Sequence, residues 1–162
     1  MTYKLNKFFI AEKSGNPSSQ ILSTSYTEIT GSKCEIKNCF LNNKIVYKFS
    51  FWMGTHDAGG STSDLPAFMH IKLQKSNDNF SSNIEDIPGC QINISSDDSE
   101  NEHYYTSVNP LFILENFNYK YLRIVGRSYS TSNEVNLHVP NYYDGSNASN
   151  IYYNPFLLVM EI

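Results

Sequence analysis

The sequence predicts an all-β fold, an antiparallel sandwich or barrel of about eight to ten strands, and three observations lead there. Aromatic residues make up 14% of the chain, with 12 Tyr and 10 Phe among many Ser, Thr and Asn, a composition that favours strands and turns over helices. The stretch Asn43 to Gly54, NKIVYKFSFWMG, places Ile45, Tyr47, Phe49 and Phe51 at alternate positions, with Val46, Lys48, Ser50 and Trp52 between them. Residues two apart on a strand share a face, so this run has one apolar face and one mixed face and is the natural centre of the core. Similar alternating runs recur along the chain, separated by Gly, Asn and Ser turns, with no convincing helical period.

A length of 162 residues suits one domain. The net charge is −4, only 17% of residues are charged, and the lysines and arginines are scattered, so neither nucleic acid nor an anionic membrane is an expected partner. No apolar run approaches the roughly 20 residues that span a bilayer, so no membrane insertion is expected. The start, MTYKLNKFFIAEKSGNP, has too short an apolar stretch for a signal peptide, so the expectation is a soluble chain made in the cytoplasm. Cys34, Cys39 and Cys90 are odd in number, and Cys34 and Cys39 would face opposite sides of one strand. That disfavours a local disulfide or a shared metal, and the expected state is reduced thiols packed as small hydrophobes.

In chain order, residues 1–20 hold the short patch Phe8-Phe9-Ile10 and a turn-rich connector, read either as an arm that packs on a partner subunit or as an edge strand. A single domain covers residues 21–162. Ile21 to Thr30 gives a first strand or a broken pair, Gly31-Ser32 turns, and Lys33 to Phe40 leads through Asn42-Asn43 into the central strand, which reads as a β-meander. The loop from Thr55 to Pro66 is polar. Ala67, Met69, Ile71 and Leu73 then form one strand face, and Phe68, His70 and Lys72 form the other. Ser76 to Pro88 reads as a polar, turn-prone loop, Cys90 to Ile94 as a short strand, and SSDDSENEH as an acidic loop. Leu111 to Leu114 is a brief apolar run. Tyr121, Arg123 and Val125 alternate with Leu122, Ile124 and Gly126, and this strand is expected to form a hairpin with Val135 to Val139 across Ser130 to Asn133. After the loop from Pro140 to Asn150, a terminal strand puts Phe156, Leu158, Met160 and Ile162 on one face.

No residue set carries a catalytic signature. His56-Asp57 could share a proton, but adjacent loop residues diverge and no nucleophile elbow accompanies them, so the pair reads as part of a turn and no enzyme is expected. His56, His70, His103 and His138 lack metal-ligand spacing. Asp97, Asp98, Glu100 and Glu102 offer oxygen ligands that calcium uses, without the residue order of a calcium loop, so solvated surface is the plainer reading and no cofactor is assigned. Three Asn-x-Ser acceptor patterns, at Asn79, Asn93 and Asn147, read as chance in an Asn- and Ser-rich chain that has no signal peptide. The tyrosine pairs Tyr104-Tyr105, Tyr142-Tyr143 and Tyr152-Tyr153 suit glycan or protein recognition if exposed, and packing if not.

Taken together, STSYTEITG (Ser23 to Gly31), NKIVYKFSFWM, MHIKLQKS (Met69 to Ser76), YLRIVGRSYS (Tyr121 to Ser130) and FLLVMEI (Phe156 to Ile162) form an ordered set. The set resembles the jelly-roll modules of phage and large-virus structural proteins, which look like the trimeric heads of the complement-C1q and tumour-necrosis-factor type. The resemblance covers Ile21 to Ile162, and the chain departs from it in the inserted loops Thr55 to Leu65 and Asp78 to Pro88 and in lacking a stalk. It implies a jelly-roll sandwich on the virion surface, made in the host cytoplasm. The protein would be a non-enzymatic capsid decoration, spike or tail-fibre head, assembled as a homotrimer with other virion proteins. By strand position it implies a trimer axis near Tyr47, Phe49, Tyr121 and Phe156. The loops with His56, Asp57, Tyr142, Tyr143 and Asp144 would meet the shell or a host glycan or protein receptor. The alternative is a stand-alone carbohydrate-binding sandwich.

Overall fold

A computed structural model of the chain describes residues 8–9, 19–36, 44–55, 67–96, 105–131, 135–138, 141–143, 148–150 and 155–161. These residues form strands and turns without a helix, and the strands make two antiparallel sheets that pack as a β-sandwich. The strands are β1 (Phe8–Phe9), β2 (Gln20–Leu22), β3 (Thr27–Glu28), β4 (Cys34–Glu35), β5 (Ile45–Thr55), β6 (Phe68–Ser76) and β7 (Glu85–Ser95). They continue with β8 (Tyr105–Val108), β9 (Leu111–Leu114), β10 (Tyr121–Ser128), β11 (Val135–Leu137), β12 (Asn141–Tyr143), β13 (Ala148–Asn150) and β14 (Phe156–Glu161).

The aromatic strand β5 is the axis of sheet 1. Along one side β9 pairs with Ile45 to Lys48 and β8 with Phe51 to Gly54; along the other β14 pairs with Ile45 to Ser50 and β11 with Met53 to Thr55. β1 adds to β14 and β2 to β11. Between β8 and β9 the Phe49 amide donates to the Pro110 carbonyl at 3.0 Å, so Pro110, which has no amide hydrogen, interrupts the edge without orphaning β5. Sheet 2 has the order β3 or β4, β10, β6, β7. β12 and β13 form a separate pair.

The core lies between the sheets. From sheet 1, Ile45, Tyr47, Phe49, Phe51, Met53, Leu157 and Val159 point inward; from sheet 2, Met69, Ile71, Leu73, Leu122 and Ile124 meet them. Cys34 and Cys90 are buried within this cluster, and burial pushes the Cys90 thiol up; Cys39 lies outside the described residues.

Two expectations about neighbours in the sheets need correction. The strand β10 does not pair with β11 as a hairpin: β10 lies in sheet 2 between β6 and β3, and β11 lies in sheet 1 between β5 and β2. Nor do β2 to β5 form a meander, because β2 and β5 belong to sheet 1 while β3 and β4 pair with β10 in sheet 2. Amphipathic strands that follow one another can bury their apolar faces from opposite sheets, and here they cross between sheets. A third correction concerns β7, which begins at Glu85, inside the stretch read as a loop. Pro88 and Gly89 (φ +76°) sit where the β6–β7 register shifts between Lys72 and Gln74, a bulge on an edge strand that tolerates both residue types.

A buried polar tie joins the sheets. Ser32 Oγ donates to the Ile124 carbonyl at 3.0 Å and accepts from the Ile124 amide at 3.1 Å, standing in for backbone where β3 and β4 part. The Tyr47 hydroxyl crosses from sheet 1 and donates to the Ser32 carbonyl, and burial holds the Tyr47 phenol well above its usual pKa.

Candidate functional site

Each sheet has an outer face, and the alternation that fills the core fixes what the outer faces display. On sheet 1, cross-strand register puts Val46 between Met160 and Ile113, and Lys48 between Leu158 and Leu111, with Phe156 opposite Ser50. Leu111 is 55% exposed and Ile113 58%, whereas Phe156, Leu158 and Met160 are half-buried. Directly opposed residues of an antiparallel pair touch, so these side chains form one apolar patch crossed by the Lys48 stem.

The outer face of sheet 2 is polar and aromatic. His70 Nδ1 donates to Asn93 Oδ1 at 2.6 Å, and the rings of Phe68 and Tyr129 pack on His70 at 5.2 and 5.9 Å. Phe68 and Tyr129 also meet edge to face at 5.2 Å. Arg127 lies directly opposite His70, and its guanidinium carbon is 5.4 Å from the Tyr26 ring, which the Lys72 ammonium covers at 4.2 Å. Lys72 is held by Asp86 at 2.6 Å and Arg123 by Glu28 at 3.3 Å. Burial pushes the Asp86 carboxyl up, but hydrogen bonds from Lys72 and Gln74 outweigh it and leave the pKa lowered. Tyr26 and Tyr129 remain 42% and 57% exposed.

At the end of β6 a tight loop is gathered on one carboxylate. Ser82 and Ser76 hydroxyls donate to Asp78 at 2.6 and 2.7 Å, and the amides of Ser81, Ser82 and Asn83 also donate to it. These bonds hold the Asp78 carboxyl well below the usual carboxylate range. Asn79 and Phe80 are both left-handed, at φ 59° and 64°, and the Arg123 guanidinium covers the buried Phe80 ring at 4.1 Å.

The residues singled out in the sequence are dispersed. Tyr47 and Phe49 are fully buried in the chain's own core, with no surface left for a partner. Tyr121 and Phe156 are half-buried on the outer faces of different sheets, Tyr121 on sheet 2 and Phe156 on sheet 1. Tyr142 and Tyr143 lie in β12; His56, Asp57 and Asp144 fall outside the described residues, as does the acidic run at 97–102. Among the described residues no group of three His, Cys, Asp or Glu could hold a metal ion. Neither Tyr26 nor Tyr129 stands out in the sequence, although Arg123, Val125, Arg127 and Tyr129 share one strand parity and could have marked the outer face. No family model and no curated protein matches this chain.

Proposed function

We propose that the chain is a non-enzymatic structural domain of a virion surface, a capsid decoration, spike or tail-fibre head, that works as a homotrimer. The apolar outer face of sheet 1 carries this reading: Leu111, Ile113, Val46, Leu158 and Met160 lie side by side where a monomer would place polar residues. The occupant is another copy of the chain. With Tyr47 and Phe49 committed to the core, the contact uses the opposite side of β5, together with Phe156. The strand order supports the jelly-roll form of the sandwich, since β2, β3–β4, β5, β6–β7, β8–β9, β10 and then β11 with β14 alternate between sheets.

The test is sedimentation velocity on the wild type and on Ile113→Glu and Leu158→Glu. The wild type sediments as three chains and each variant as one, because a carboxylate cannot be buried unpaired in an apolar contact. A wild type that is monomeric at high concentration overturns the proposal. The second reading, a monomeric carbohydrate-binding module, is favoured by the exposed tyrosines of sheet 2 and predicts glycan binding by a single chain.

A further inference from the structure

We propose that the outer face of sheet 2 binds an acidic saccharide, with the sugar carboxylate on the Arg127 guanidinium and the pyranose ring against Tyr129 and Tyr26. The proposal rests on reading the chain as a recognition domain and is independent of its oligomeric state.

Charge complementarity singles out Arg127. The neighbouring cations of this face are already neutralised, Lys72 by Asp86 and Arg123 by Glu28, whereas no carboxylate among the described residues lies within ion-pair distance of Arg127. Its five donors form a planar fork that matches a carboxylate with two parallel bonds. A bound anion would complete what the face leaves open.

The aromatic groups specify the rest of the ligand. Tyr26 sits on one side of Arg127, within 5.4 Å, and His70, directly opposite Arg127 in register, carries the Tyr129 ring on the other. Tyr129 is held by Phe68 and by His70, which is itself fixed by Asn93, so its exposed ring is oriented before any ligand arrives. A flat, rigid ring with one open side suits the C–H face of a pyranose. With Asn93 Oδ1 taken by His70, the Asn93 amide can donate to a hydroxyl. Tyr26 and Tyr129 are both exposed, which suits a sugar at a chain end and not an enclosed cofactor. His70 is a positioning residue here: its Nε2 is covered and without a hydrogen-bond partner among the described residues, so it orients Tyr129 without itself meeting the sugar.

The test is a titration of the full chain, followed by amide NMR, with 3′-sialyllactose, methyl glucuronide and lactose, the neutral control. At least one acid is expected to shift β10, β6 and β7 amides and those of Tyr26 and β3 while lactose does not, and which acid binds identifies the sugar source. Arg127→Gln weakens binding about tenfold or more, and Arg127→Lys, which keeps the charge and loses the fork, weakens it less. Tyr129→Ala weakens it with Arg127 intact. Unchanged amide dispersion shows that each variant is folded, and unchanged sedimentation separates failure here from failure of the trimer. The proposal is overturned if neither acid binds, if lactose binds equally well, if the shifts fall on other strands, or if Arg127→Gln binds like the wild type.

Discussion

At Tyr47 a single hydroxyl links the two sheets, reaching the carbonyl of Ser32, whose own side chain is hydrogen-bonded into β10. Tyr47→Phe keeps the ring in the core and removes the donor, so it is expected to cost about 1–3 kcal/mol, because the buried carbonyl loses a partner. Urea unfolding checks this: the midpoint falls and the slope stays the same, whereas an unchanged midpoint shows that the tie contributes nothing. Asp78 acts through charge. A carboxyl whose pKa is lowered by folding stabilises the native state above its unfolded pKa, about 4, and that stability is lost as pH falls through the folded value. Thermal unfolding between pH 7 and pH 2 should therefore show an acid-side loss that is smaller in Asp78→Ala. The left-handed pair Asn79 and Phe80, which this carboxylate holds in place, should be the first segment to lose hydrogen-exchange protection in the variant.

The strands show what can be read from residue order and what cannot. The faces of β5, β6 and β10 follow from alternation alone, since Tyr47, Ile71 and Leu122 are core residues with parity set by their neighbours. Partner choice is not local: β10 and β11 read as a hairpin, yet each finds its pairs in a different sheet, with residues far away in sequence. The first half of β7, from Glu85, was hidden because Pro88 and Gly89 look like loop residues, and only the bulge against β6 accommodates them, whereas Cys90 to Ile94 already read as a strand. The candidate saccharide face was not singled out in the sequence: the strand parity of Arg127 and Tyr129 could have marked half of it, while Tyr26 reaches it only through the β3–β10 pairing. Two glycines separate backbone from packing. A Cβ at Gly89 meets nothing within 4 Å but must accept φ +76°, so Gly89→Ala costs about 1–2 kcal/mol through backbone strain alone. At Gly126 a Cβ would stand 3.0 Å from Ile29 Cδ1 and 3.2 Å from Met69 Cε. Gly126→Val therefore overpacks the core, at about 1–3 kcal/mol, and its loss is relieved by a smaller residue at position 29, whereas that of Gly89→Ala is not. Chemical denaturation of the variants, with and without Ile29→Val, tests the distinction.

For the whole molecule, the sandwich presents two outer faces of opposite character. Sheet 1 shows Leu111, Ile113, Leu158 and Met160; sheet 2 shows Tyr26, Lys72, Arg127 and Tyr129. Burying the first set between copies removes apolar area from water at about 25 cal/mol per Å², and it leaves the second set facing outward. On the proposed reading, assembly and recognition use different surfaces and can be altered separately. The most direct test of this division is covalent side-chain footprinting of the full chain in solution, read residue by residue by mass spectrometry. Leu111, Ile113, Leu158 and Met160 are expected to be protected although Leu111 and Ile113 are 55% and 58% exposed in the single chain, while Tyr26 and Tyr129 are labelled. Labelling of Leu111 and Ile113 to the extent of that exposure, at concentrations where the chain is fully assembled, would contradict it.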